Sequence, residues 1–335
     1  MEKNRLKKIY SRLIGIIFIL FVLSNFIPTS FNVVEPGIAV ELSEVISVED
    51  GYENEGDFLL TAVSSRRAVV WDYIYISIFT PNDRELESIS SQMPEDMEMN
   101  EYIDIMSKLM DESKLQAQAV AFRKMGYNVE VTGDGAEVVE VMEKGSAYNN
   151  LEKGDLITEI DGQQVEMAAD AVNIIRNRKI GESVKLTVLR GNKELKLELK
   201  TVELEGNPGN PSIGVLITSK NLNYDIPRQV EFKTDNIIGP SAGSVFALEI
   251  YNQLTEEDIT GGLKIAGTGT INLDGTIGQI DGVEQKIIAA QKAGVDLFFV
   301  PKENFSEAEK YAKNLKLVSV NNIDDVLEYL KENNE

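Results

Sequence analysis

Hydrophobic residues are distributed along this chain in three ways. From Leu13 to Ile27 they form a nearly continuous run, interrupted by Gly15, Ser24 and Asn25. Extension to Phe31 or Val34 brings the run to the roughly 20 residues that cross a bilayer. From residue 57 they cluster and alternate, as FLLTAVS and then VVWDYIYISIF. This predicts strands, or a strand and a short helix, over 57–80. Over 101–125 they recur at helical spacing, with Ile105, Leu109, Leu115, Ala119 and Phe122 near one stripe and Gly126 placed as the C-cap. The acidic segment 84–100, which contains Pro94, reads as a surface loop.

Residues 128–203 carry their own punctuation. EVVEVMEKGSA predicts a strand and a glycine turn, LEKGDLITEIDGQQV a turn, a strand and an Asp-Gly turn, and 168–178 a helix. ESVKLTVLRG and KELKLELKTVEL predict a terminal hairpin, and GNPGNP at 206–211 a linker. Beyond it the pattern predicts a strand at 295–300, a helix at 305–314, a strand at 316–320 and a helix at 322–333.

The N-terminus adds a sign to the first apolar run. Lys3, Arg5, Lys7, Lys8 and Arg12 precede it against the single acid Glu2, which sets the N-terminus in the cytoplasm and later residues outside. A retained anchor and a cleaved signal peptide both fit such a pattern; no small-x-small cleavage site stands near Ser24–Ser30, which favours the anchor.

The composition narrows the chemistry. A net charge of −22 repels phosphate backbones and argues against nucleic-acid binding. With no cysteine and no histidine there is no disulfide, no thiol nucleophile, no Cys/His zinc site and no Ser-His-Asp triad. No Gly-x-x-x-x-Gly-Lys-Ser/Thr loop is present, so neither ATP nor a metal or other cofactor is implied.

Against that background one pentapeptide stands out. Residues 239–243 read Gly-Pro-Ser-Ala-Gly and precede the apolar segment VFALEIYNQL. Small residues around Ser241 permit a sharp turn and close approach of a substrate, and backbone N–H groups at a helix start, near Gly239 and Ala242, can hold an oxyanion. The same residues also make an ordinary helix N-cap. Without histidine, the base has to be a lysine whose amine is neutral because it is buried. Lys286 lies in VEQKIIAAQKAGV, where Val283, Lys286, Ala290 and Ala293 share one helical side with Ile287 adjacent; Lys292 projects elsewhere as a solvated charge. Lys286 could equally snorkel at a helix edge.

Several motifs in order carry a family resemblance. They are Gly239-Pro240-Ser241-Ala242-Gly243; Thr268-Gly269 ahead of Ile271-x-Leu273-x-Gly275; Ile280-x-Gly282-x-x-x-Lys286 with Ala289-Ala290; Gly294; and Val300-Pro301-Lys302-Glu303-Asn304. From Gly239 to Asn304 the chain resembles the proteolytic domain of Lon peptidases. The resemblance implies Ser241 as nucleophile, Lys286 as general base and Thr268 as a supporting residue that orients the lysine. Leu60-Thr61 and Met110-x-Glu112-Ser113 resemble weaker signals of the same family. Gly145-Ser146-Ala147, Gly154-Asp155-Leu156-Ile157 and Ile160-Asp161-Gly162 resemble the PDZ domain of exported bacterial proteases. Such domains bind extended peptides at a sheet edge. Gly133, Gly135 and Ala136 could supply N–H groups for a peptide carboxylate, or form only an entry loop.

The expected fold is therefore α/β (α+β), of the Lon proteolytic type, with an inserted or preceding PDZ-like β-rich domain and an N-terminal transmembrane helix. Residues 1–34 are the cytoplasmic stub and anchor, 35–127 pack with the catalytic domain, 128–204 are PDZ-like and 205–335 Lon-like. Two features depart from energy-dependent Lon enzymes: the ATPase module is absent, and Ile238 stands where an acid often lies three residues before the serine. The arrangement is similar to the exported Lon-like proteases of Gram-positive bacteria, including the pheromone-processing (SepM-type) group. This implies an ATP-independent serine endopeptidase acting outside the cell membrane on short or unfolded secreted peptides or membrane-protein segments, with homo-oligomers common in the family. A catalytically silent PDZ adaptor at the membrane is the alternative.

Overall fold

Two β-sheets organise the chain, and the order in which the sequence supplies their strands decides where the site forms. The computed structural model describes residues 2–79, 83–89, 97–204, 207–234 and 237–334, with the side chains of 2–8, 207, 208 and 334 outside that description. In chain order the principal elements are helix α1 (Glu2–Ser24), strands β1 (Pro28–Glu41) and β2 (Asp57–Val69), helix α2 (Val70–Phe79), strand β3 (Glu85–Ser88) and helix α3 (Met99–Lys124). Then come strands β4 (Gly135–Val141) and β5 (Leu156–Ile160), helix α4 (Ala168–Arg176), and strands β6 (Ser183–Arg190), β7 (Lys193–Lys200) and β8 (Val215–Lys220). Helix α5 (Gly243–Leu254), strand β9 (Lys264–Gly267), helix α6 (Val283–Ala293), strand β10 (Leu297–Pro301), helix α7 (Lys302–Ala308), strand β11 (Lys316–Val320) and helix α8 (Ile323–Asn334) complete the chain.

The first sheet runs β11-β10-β9-β2-β1-β3. Its β2, β9, β10 and β11 are parallel, whereas β1 pairs antiparallel with β2 and β3. Strands from both sides of residues 128–204 thus share one sheet, and that unit interrupts the α/β domain rather than preceding it. The strand period turns alternate residues of β2 to opposite faces. Phe58 and Leu60 join a core with Ala117, Val120 and Phe122 of α3 and Val245, Phe246 and Leu248 of α5. Leu59 faces the other way, into a core with Val283, Ile287 and Ala290 of α6 and Phe298 and Val300 of β10. Helices α5 and α6 therefore cover opposite faces of the sheet.

The second sheet runs β7-β6-β5-β4-β8 with Gln163–Gln164 added on β5, and α4 packs against it. Its separate core contains Ala136, Val138, Ile157, Ile160, Ala171, Leu186 and Val188.

The elements settle one alternative that the sequence pattern left open and differ from it in three places. Residues 70–79 are a helix, because Asp72 in its first turn accepts the Val69 N–H at 3.0 Å and both terminal nitrogens of Arg66. Part of the expected loop 84–100 is β3, an edge strand paired with β1 and supported by an Arg84–Glu35 ion pair; residues 90–96 lie outside the described residues. The GNPGNP segment is not a free linker: Asn207–Ser212 pairs with Val202–Leu204. The helix expected at 305–314 begins three residues earlier and ends at Ala308.

Helix α1 carries exposed apolar side chains, among them Leu13, Ile14, Ile16, Ile17, Phe18 and Ile19. Among the described residues, however, no helix is long and apolar enough to cross a membrane, so the expected transmembrane span gains no support from the fold.

Candidate active site

The nucleophile turn is shaped by its glycines. Gly239 has φ 91°, in the left-handed region that a side chain disfavours, and a Cβ there would meet no neighbour within 4 Å, so space is open beside the serine. Pro240–Ala242 form one 3₁₀ turn leading into α5. At the other end, a Cβ on Gly243 would lie 2.6 Å from Ser113 Oγ and 2.8 Å from Ile271 Cγ2; only glycine allows α3 to pack this closely.

Strand β9 delivers the third participant. Its carboxyl end leads to Thr268 and Gly269, and these are bonded onto the turn. Gly269 N–H and Thr268 Oγ–H both donate to Ser241 O, at 2.9 and 3.0 Å, and Ser244 N–H donates to Gly269 O at 3.0 Å. Lys286 arrives from the opposite face on α6, flanked by buried Val283, Ile287 and Ala290; Ala293 is exposed, since the helix ends there. Lys292 is solvated, 3.8 Å from Asp83.

These elements bring Lys286 Nζ to 2.9 Å from Ser241 Oγ, 3.2 Å from Thr268 Oγ1 and 3.2 Å from Thr61 O. Lys286 is only 4% exposed, and no ion pair to it forms among the described residues. Desolvation pushes its pKa down to about 8, with the charge of Asp281 acting weakly in the other direction. Donor counting fits a neutral amine. Thr268 spends its one proton on Ser241 O, so it accepts from Nζ, as Thr61 O must. A neutral amine has two N–H bonds for those acceptors and one lone pair, which is left for the Ser241 hydroxyl proton.

Ser241, Lys286 and Thr268, named from the sequence, thus meet in one cluster. The backbone donors are arranged differently from expectation. Gly239 N–H is used by Met106 O at 3.1 Å, so it is not an oxyanion donor. Ala242 is buried at the end of the short turn, whereas Ser241 N–H, in its middle, has no acceptor among the described residues. The peptide-binding candidates are also committed. Gly135 N–H donates to Glu166 O, and Ala136 is buried in β4, between β5 and β8. Gly133 lines a shallow cavity with Asp134, Thr158 and Gln164. The edge strands of this sheet are β7 and β8, and β8 is the one beside Ala136.

Sequence reasoning gave Thr61 only a weak signal, because a main-chain carbonyl acts whatever its side chain. It gave Met106 none. Among the described residues no cluster of acids could hold a metal ion.

Comparison with known proteins agrees with this geometry. Residues 234–332 match the Lon protease (S16) C-terminal proteolytic domain, and residues 124–201 match the PDZ domain. The Lon protease of Clostridioides difficile is 39% identical over 105 residues, covering 29% of this chain and 13% of that protein. The Lon protease of Campylobacter concisus is 28% identical over 198 residues, covering 57% of this chain and 22% of that protein. The chain therefore spans under a quarter of the length of either relative. The PDZ domain of an SdrC-like protein from Listeria monocytogenes aligns with 26% of this chain and 92% of its own, at 33% identity and a TM-score of 0.25. This chain carries a proteolytic domain of the Lon (S16) family joined to a PDZ domain.

Proposed function

We propose that the chain is an ATP-independent serine endopeptidase. The observation that carries this is the buried, unpaired Lys286 amine 2.9 Å from Ser241 Oγ. Ser241 Oγ attacks the scissile carbonyl carbon while its proton passes to Lys286 Nζ. The oxyanion is held by Ser241 N–H and favoured by the N-terminus of α5. The resulting ammonium returns its proton to the leaving amine as the C–N bond breaks, and an acyl-enzyme forms. Water then attacks the ester carbonyl, gives a proton to Lys286, and Ser241 recovers it as the carboxylic acid departs. Thr268 and Thr61 O hold the amine throughout.

Substrates in this reading are short or already unfolded, and secreted peptides such as pheromones or loops of membrane proteins suit it. We assign attachment to the membrane to α1, whose apolar side chains face outward and whose leading residues are basic, with the catalytic domain outside the cell. Tyr73, Ile74, Tyr75, Ile78 and Phe79 expose a second apolar face on α2, beside the Phe21–Trp71 ring contact at 4.6 Å.

The test is hydrolysis of an unstructured peptide library read by mass spectrometry, with the parent chain and Ser241→Ala side by side. Cleavage products from the parent alone are expected. An identical product set from both chains, or none from either, sinks the assignment.

A further inference from the structure

Two neighbouring residues of α3 reach in opposite directions. Glu112 points to the second sheet, where its carboxylate accepts Ser219 N–H at 2.8 Å and Ser219 Oγ–H at 2.6 Å. Ser219 lies on β8, an edge strand of that sheet, and its hydroxyl also accepts the first N–H of α4, from Ala168, at 2.9 Å. Ser113 points to the nucleophile turn, where Oγ–H donates to Pro240 O at 3.1 Å. Two turns earlier, Met106 O holds Gly239 N–H. Helix α3 thus grips both residues before Ser241, packs against Gly243 after it, and is itself pinned to the peptide-binding unit through Glu112.

The chemistry of that pin matters. Ser219 N–H points outward from β8, and the strand period sends the Ile217 N–H the same way. A peptide that adds to this edge as an extra strand offers carbonyl oxygens to these donors. When it extends as far as Ser219, it competes with the Glu112 carboxylate for one N–H. Lys286 is anchored independently, through Thr61 O on β2, so a shift of α3 moves the serine and leaves the amine behind. A misplacement of about 1 Å at such a dyad can cost about 100-fold in rate.

We propose that Glu112 and Ser113 are positioning residues that couple the occupancy of the β8 edge to the alignment of Ser241 with Lys286. The inference rests on the peptidase reading for its rate effects, but not for its structural ones. An extended peptide seated on β8 up to Ser219 displaces Glu112 and lowers kcat; one that stops at Ile217 does not. The paired donors therefore measure how much peptide the groove holds.

The experiment uses the full chain and a fluorogenic peptide too short to reach the second sheet. Glu112→Ala and Ser113→Ala are each expected to lower kcat about 10- to 100-fold with KM little changed. Glu112→Gln, which still accepts the Ser219 N–H, is expected to retain most of the rate. A long uncleavable peptide added in trans lowers kcat of the parent and adds nothing to Glu112→Ala. Parent-like kcat in Glu112→Ala, or loss that tracks only the fraction unfolded by circular dichroism, overturns the proposal. If the parent itself hydrolyses nothing, the peptidase reading fails separately. Coupling is then decided by hydrogen exchange at residues 239–243: faster exchange in Glu112→Ala supports it and unchanged exchange removes it.

Discussion

Each half of the molecule buries ionisable side chains, and two of them, Asp155 and Lys286, are treated oppositely. In the PDZ domain Asp155 is 1% exposed and fully partnered: Arg190 donates two hydrogen bonds of 2.8 Å and Glu152 N–H a third of 2.9 Å. Burial alone would raise its pKa, but these bonds and the Arg190 charge outweigh that and hold it below the usual carboxylate range. In the proteolytic domain Lys286 is as deeply buried, yet it touches only two hydroxyls and a carbonyl. Here desolvation wins and the charge is given up near neutral pH. Burial by itself therefore does not decide a group's charge; whether a counter-ion is supplied does.

The comparison can be broken most severely at the lysine. Lys286→Ala is expected to reduce kcat/KM by about 1,000-fold or more, measured on any peptide the parent cleaves. Residual activity near the parent level would place the base elsewhere. Next in size is the paired acid. Asp155→Ala removes two hydrogen bonds from Arg190, which keeps Glu152 and Asn150 O, and leaves Glu152 N–H without its acceptor; it is expected to cost about 3 kcal/mol, with the PDZ domain's transition moving to lower denaturant while Ser241 remains reactive. The opposite sign is expected for Lys286→Met. Below pH 8 the parent carries or nearly carries a buried ammonium, a penalty of roughly 3 kcal/mol for a pKa lowered from 10.5 to about 8. The folded protein binds fewer protons than the unfolded chain between those values, so parent stability climbs with pH across that window. The methionine variant should be about 1–3 kcal/mol more stable at pH 7, with the gain fading toward pH 10.5 in denaturant titrations.

The smallest effect sharpens the assignment. The kcat/KM of the parent should rise with pH through about 8 and then level off, because the neutral amine is the working form. Asp281→Asn removes the charge that holds the pKa up, so the midpoint should move to lower pH by less than about one unit. A move upward would contradict the electrostatics described here.

How much of this was readable beforehand follows the same division. Side-chain chemistry singled out Ser241 and Lys286 as candidates, and the family resemblance gave them, and Thr268, their roles. The apolar stripe of Val283, Ile287 and Ala290 announced the buried flank that a neutral amine needs. What stayed hidden was carried by the main chain. Thr61 O and Met106 O act as acceptors through groups every residue owns, and the latter removed Gly239 from the oxyanion donors. Edge pairing was equally silent. Strand β3 exists because the distant β1 offers it a partner, and the Val202–Leu204 arm because Asn207–Ser212 folds back on it, not because their own pattern demands it. The position of the PDZ unit within the α/β sheet was left open by its sequence; the parallel pairing of β9 with β2 determines it.

That pairing has a consequence for biosynthesis. The carbonyl that steadies the amine lies 225 residues before it in the chain, with the whole PDZ domain made in between. A ribosome that has completed only the first two-thirds of the polypeptide has released neither base nor finished sheet. The dyad of the proposed peptidase therefore assembles only when the last strands of the sheet dock.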